Sequence, residues 1–104
     1  MTNSNQKPLQ IPIILGSTRD GRQSVKVAKF VHKRFSALAG VQTELIDLLE
    51  LKLPIMEERL SNLKTPPPGL KEFGAKIARA DALIIVSPEY NQGYPGVLKN
   101  ALDY

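Results

Sequence analysis

The chain has 104 residues, with 14 Lys+Arg against 10 Asp+Glu, one His and no Cys. The lack of Cys excludes thiol nucleophiles, disulfides, iron–sulfur clusters and thiolate zinc sites, and a single His excludes any site needing two imidazoles. A hydrophobic fraction of 42% with 23% charged residues is ordinary for one globular domain, so any reaction is expected to be carried by something the chain binds.

Residues 1–10 (MTNSNQKPLQ) are polar and are expected to form a flexible N-terminal tail, without the apolar centre of a secretory signal. No stretch approaches the roughly 20 apolar residues that span a bilayer. The expectation is a cytoplasmic protein without a membrane partner. Residues 11–15 (IPIIL) form a short, β-branched apolar run before Gly16, the pattern of a strand buried on both faces of a parallel sheet. Pro12 lacks a ladder donor and belongs at the strand's beginning.

From Ser24 the apolar period becomes helical. Val27, Ala28, Val31, Phe35 and Leu38 form the stripe for packing on the sheet, Arg22, Lys26, Lys29 and Lys33 form a solvated basic face, and Ala39-Gly40 supplies the stop. His32 lies beside that basic face and is expected at the surface. Residues 41–46 (VQTELI) alternate like a half-exposed second strand. Residues 48–69, ending in Pro66-Pro67-Pro68-Gly69, are irregular and too long for a simple connection, as in lids or subunit contacts. Leu70, Phe73, Ile77 and Ala80 mark a second helix, residues 82–86 (ALIIV) a third buried strand, and Pro95 the opening of a third helix through Val97, Leu98, Ala101 and Leu102.

Three strands alternating with three helices predict an α/β doubly wound parallel sheet in spatial order 2-1-3, with the most apolar run left at an edge. Ligands of such sheets bind beyond the carboxyl ends of the strands, where chain order reverses. For order 2-1-3 the loops meeting there are residues 16–24 (GSTRDGRQS) and 87–96 (SPEYNQGYPG).

The first loop ends at a helix N-terminus, where free N–H groups and the helix dipole favour an anion. Ser17, Thr18 and Ser24 add hydroxyl donors, and Arg19 and Arg22 add charged ones. Thr18 breaks a dinucleotide GxGxxG, and Arg22 and Gln23 replace the Lys and hydroxyl residue of a nucleotide-binding GxxxxGK[ST], so a phosphate monoester held without metal is the expectation. An ordinary helix cap beside a basic face is the competing expectation. In the second loop Pro88 and Pro95 stiffen the chain and Gly93 and Gly96 permit close approach. Tyr90 and Tyr94 offer flat faces and Asn91 both a donor and an acceptor. A planar, hydrogen-bonding ring system suits that surface, though Tyr packing at the core edge would give the same pattern.

The net charge of +4 is local: residues 1–43 hold seven cations against one anion, a net +6, and residues 44–104 hold seven against nine, a net −2. That distribution fits a small anion, and no nucleic-acid partner is expected.

Together, Gly16-Ser17-Thr18-Arg19 with Gly21-Arg22 and Ser24, then Ser87-Pro88-Glu89-Tyr90-Asn91, Gly93 and Pro95 through Tyr104, resemble the NADPH-dependent FMN reductases of flavodoxin-like fold, a family that includes quinone, chromate and azo-dye reductases. The resemblance implies that Ser17, Thr18, Arg19 and Ser24 hold the FMN phosphate and that Pro88, Glu89, Tyr90 and Asn91 line the isoalloxazine ring. It further implies hydride transfer from NAD(P)H through FMN to a quinone, metal oxyanion, azo compound or free flavin, with no protein nucleophile and no metal. A homodimer or homotetramer acting on a small-molecule electron acceptor is the implied assembly.

The full family sheet has order 2-1-3-4-5. About five βα units of roughly 30–40 residues would be needed for it, and residues 11–104 supply three, the N-terminal portion of a single FMN-binding domain. Two other functions share the fold: a flavodoxin-type electron carrier, and a non-catalytic fragment or interaction module.

Overall fold

The computed structural model describes residues 7–89 and 93–104. Its elements are β1 (Leu9–Gln10), β2 (Ile13–Leu15), α1 (Ser24–Ser36), β3 (Val41–Gln42), β4 (Leu45–Asp47), α2 (Leu48–Leu51), a single 3-10 turn (Leu60–Asn62), α3 (Leu70–Arg79), β5 (Ile84–Val86) and α4 (Gly96–Asp103).

All described pairings are parallel. β1 pairs with β3, and β2 lies between β4 and β5 with Ile14 opposite Ile46 on one side and Ile85 on the other. The three-stranded sheet therefore runs second, first, third along the chain, which is the 2-1-3 order of a doubly wound fold.

Pro12 explains why the first strand is divided. The N–H groups of Leu9, Ile11 and Ile13 point to the β3–β4 side and bond Gly40, Gln42 and Glu44 carbonyls at 2.7, 2.9 and 2.8 Å. Even-numbered residues face the other side. There Pro12 has no N–H to offer, and the Gln10 N–H bonds the Asp81 carboxylate at 2.7 Å instead of a strand. The sheet therefore reaches back past the proline. Leu9 and Gln10, expected in the tail, are ladder residues; residues 1–6 lie outside the described chain.

Ile13, Ile14 and Leu15 are completely buried, each contributing about 1.5–3 kcal/mol through removal of its side chain from water. Ile14 joins Ile46, Leu70, Phe73, Leu98 and Ala101 in the core on the α3–α4 face. Helix α1 covers the opposite face through the fully buried Ala28. Its stripe is narrower than the sequence pattern predicts: a small residue brings the helix close, and Val27 and Leu38 fall to the flank, about half exposed. The helix stops at Ser36, and Gly40, at φ 77°, turns the chain into β3 rather than capping the last turn.

Gly69 at φ 81° forms the N-cap of α3, with Leu51 only 3.0 Å from where a Cβ would stand. The run at residues 82–86, expected as a buried strand, pairs only from Ile84 and is not buried: Leu83 just before β5 and Ile85 within it are about two-fifths exposed, because β5 stands at the edge of the three-stranded sheet. Among the described residues no helix is long and apolar enough to cross a membrane, and no group of His, Asp and Glu could hold a metal ion.

Candidate functional site

The carboxyl ends of β2 and β5 are joined directly. The Gly16 N–H donates to the Val86 carbonyl at 2.9 Å, so the loop after β2 starts beside the loop after β5. A Cβ on Gly16 would lie 3.2 Å from Leu98 Cδ2, so glycine lets the first turn of α4 pack directly on this junction. The two sequence-predicted loops thus adjoin at the point where chain order reverses.

Within the first loop, Ser17 is buried, Thr18 is half-buried, and Arg19 and Asp20 are exposed. Arg22 N–H closes a turn onto the Arg19 carbonyl at 3.1 Å, and the turn passes through Gly21 at φ 70°, a conformation that favours glycine. Ser24 then opens α1. Gln23, at the N-cap, makes no side-chain cap bond, and the first turn carries no acidic residue. Among the described residues, the N–H groups of Ser17, Thr18 and Arg19 have no backbone acceptor, and Arg19 makes no ion pair. Successive unsatisfied donors, an uncapped helix terminus and an open guanidinium together suit a phosphate.

Arg22 behaves differently from the solvated cation that its spacing suggests. Its guanidinium makes two parallel bonds to the Asp47 carboxylate at 2.7 and 2.6 Å, and its Nη1 also donates to the Ser17 carbonyl at 2.5 Å. Both side chains are largely shielded, at 14% and 12% exposure. Hydrogen bonding from Arg22 holds the Asp47 carboxyl below its ordinary value, with the Leu49 N–H adding to the effect and burial opposing it. The same bond raises the Arg22 guanidinium above its already high value. Asp47 was not among the residues expected here, because its partner lies 25 positions away. Its own signal is Asp47 preceding Glu50 by three, an N-cap pattern; the Asp47 carboxylate does accept from Leu49 N–H at 3.0 Å.

In the second loop, Pro88 is half-buried, Glu89 is exposed, and Ser87 Oγ donates to the Pro88 carbonyl at 3.0 Å. Tyr90 and Asn91 lie outside the described residues. Pro95 is the N-cap of α4, one residue before the helix proper, and its carbonyl takes N–H bonds from Leu98 and Lys99, both at 3.1 Å.

From α4, Asn100 donates through Nδ2 to the Pro54 carbonyl at 2.8 Å and accepts from the Met56 N–H at 2.8 Å, while the Tyr104 hydroxyl also donates to Pro54 at 2.7 Å. These bonds fasten the long 52–59 stretch to the helix that follows the second loop.

Comparison with known proteins bears on the fold and the family. The chain is 33% identical over 108 residues to an NAD(P)H-dependent FMN reductase of Schizosaccharomyces pombe, covering 91% of this chain and 50% of that protein. It is 32% identical over 93 residues to a quinone reductase of Pseudomonas putida, covering 89% and 47%. It superimposes on an apo NADH:FMN oxidoreductase (EMOB) with a TM-score of 0.70 at 30% identity, covering 89% of this chain and 48% of that one. The chain spans about half the length of the curated relatives it matches. With residues 9–104 also matching the model of the NADPH-dependent FMN reductase family, the chain belongs to that family.

Proposed function

We propose that the loop at residues 16–24 holds the phosphate of FMN and that the chain serves an NAD(P)H-dependent flavin or quinone reductase. The observation that carries this reading is the run of N–H groups at Ser17, Thr18 and Arg19 that have no backbone acceptor among the described residues, beside the start of α1 without a side-chain cap. Ser17, Thr18, Arg19 and Ser24 bind the phosphate, with Arg19 supplying the charge. Pro88, Glu89, Tyr90 and Asn91 border the ring. When bound, FMN supplies the redox chemistry, accepting hydride from NAD(P)H and delivering electrons to a quinone, a metal oxyanion, an azo compound or free flavin. The chain's own residues bind, orient and neutralise the phosphate, and none is needed as a nucleophile.

Residues 11–104 form the N-terminal portion of the flavin-binding domain in this reading. A homodimer or homotetramer belongs to it, supported by the exposed apolar side chains of Leu83 just before β5, Ile85 on it and Ile55 in the long connection. A cytoplasmic setting, where reduced nicotinamide is supplied, completes it.

Flavin-fluorescence titration of wild type, Arg19→Ala and Arg22→Ala tests the phosphate site, and NADPH oxidation by the flavin-loaded protein tests the enzyme. Arg19→Ala is expected to weaken FMN about a hundredfold, the effect of losing a charge-assisted contact, and much more than Arg22→Ala does. Equal affinities in all three proteins would overturn the phosphate site. Flavin binding without NADPH oxidation would identify an electron carrier instead.

A further inference from the structure

The Arg22–Asp47 pair joins two parts of the chain that carry different tasks. Asp47 ends β4 and caps α2 through the Leu49 N–H, at the start of the long connection. Arg22 stands one residue after the left-handed Gly21 in the loop after β2. The guanidinium spends two donors on the carboxylate and bonds the Ser17 carbonyl with the same Nη1 that reaches Asp47 Oδ1.

Two consequences follow from elementary geometry and charge. A trans peptide is planar, with its C=O and N–H pointing in opposite directions. Fixing the Ser17 carbonyl on Arg22 therefore fixes the Thr18 N–H on the opposite side of that peptide, away from the ion pair. In addition, a cation closed into a shielded bidentate pair is neutralised where it stands, whereas Arg19 remains exposed and, among the described residues, without an ion pair. The two arginines of the loop thus have separate roles that their types and spacing alone do not reveal.

We propose that Arg22 and Asp47 are a positioning pair that presets the 17–19 backbone for phosphate without either side chain touching it. The proposal rests on the reading of residues 16–24 as the phosphate site. Arg22 orients the Ser17–Thr18 peptide, Asp47 orients Arg22, and the Leu49 N–H anchors Asp47. Loss of either partner frees the peptide to rotate, so the N–H groups lose their common direction before phosphate arrives. Preorganisation of this kind acts on the phosphate and not on the ring.

FMN and riboflavin, which differ by that phosphate, are the probes. Each is titrated by fluorescence quenching into wild type, Arg22→Gln, Asp47→Asn, the double variant and Arg19→Ala. Amide hydrogen exchange is followed at residues 17–19 in the same proteins without flavin. The expected result is a roughly three- to tenfold weaker FMN affinity in each single positioning variant, the effect of one ordinary backbone hydrogen bond lost to misorientation, with riboflavin affinity unchanged. The double variant should be no worse than the worse single variant, because the two residues act as one unit. Exchange at 17–19 should be faster in the positioning variants and unchanged in Arg19→Ala.

Undiminished preference for FMN over riboflavin in both positioning variants would overturn the proposal, as would equal loss of FMN and riboflavin, which marks a merely structural role. If wild type and Arg19→Ala bind FMN and riboflavin alike, the phosphate reading fails first and the proposal with it. Should Arg22→Gln not fold, Arg22→Lys keeps the charge and one donor direction. A phosphate preference in it equal to that of wild type would then overturn the proposal, and a reduced one would support it.

Discussion

Gly16 and Leu98 meet across the junction of the two loops: a Cβ on Gly16 would lie 3.2 Å from Leu98 Cδ2 and 3.4 Å from Leu98 Cβ. Leu98 is nearly fully buried in the core, at 3% exposure, so it cannot simply swing into solvent. Gly16→Ala is therefore expected to destabilise by about 1 kcal/mol through overpacking, and Leu98→Ala by about 2–5 kcal/mol through lost burial and a cavity. With Leu98 already truncated, Gly16→Ala should become nearly neutral. Urea unfolding of the four proteins measures this coupling, and strictly additive effects would show that the contact does not set the need for glycine.

The clasp made by Asn100 predicts a local effect. Its amide satisfies both the Pro54 carbonyl and the Met56 N–H, fixing the backbone on either side of Ile55, which is 85% exposed. Asn100→Ala removes both bonds and, among the described residues, leaves the Tyr104 hydroxyl on Pro54. The expected outcome is about 1–2 kcal/mol of lost protection at the Met56 amide in hydrogen exchange, with faster proteolysis between residues 52 and 59. Exchange at the α1 amides should be unchanged, since that helix lies on the other face of the sheet.

The Arg22–Asp47 pair predicts an acid dependence with a definite sign. The Asp47 carboxyl is held below its ordinary value of 3.8, chiefly by the Arg22 hydrogen bond, so its folded form binds protons less readily than its unfolded form. The stabilisation it gives is present above that ordinary value and is lost as pH falls through the lower, folded value. Arg22 is raised further from neutrality and stays charged throughout. Asp47→Asn should cost about 1–3 kcal/mol near neutral pH, as for removal of one partner from a shielded charged bond. The gap to wild type should close on acidification below 3.8. A gap that is the same at every pH would mean the carboxylate charge is not the source of the effect.

How far these features could be read in the sequence depended on the range of the interaction. The buried run at Ile13–Leu15, the 2-1-3 order and the meeting of the two loops follow from local hydrophobic period and the handedness of βαβ units, and all are present. The ladder before Pro12 was not legible, because Leu9–Gln10 is polar or exposed and acquires strand structure only by pairing with Val41–Gln42. Arg22 followed the helical spacing of Lys26, Lys29 and Lys33, and only the tertiary approach of Asp47 removes it from that solvated face. The small helix Leu48–Leu51 and the turn at Leu60–Asn62 carry too few residues to show a period.

Gly74 supplies a prediction in which two effects oppose each other. It lies in the interior of α3, where glycine costs about 1 kcal/mol relative to alanine. A Cβ there, however, would come within 2.6 Å of Leu60 Cδ2, the end of a half-buried side chain from the 3-10 turn. Leu60 packs against the core, so turning it away sacrifices part of its burial, an amount of about the same size as the helix gain. Gly74→Ala alone should therefore leave stability within about 0.5 kcal/mol of wild type. Leu60→Ala removes the obstructing carbons, and in that background Gly74→Ala should stabilise by about 1 kcal/mol, the full propensity difference. Urea midpoints of the four proteins decide the matter. An equal effect of Gly74→Ala in both backgrounds would mean that Leu60 yields freely and that glycine at this position answers to some other constraint.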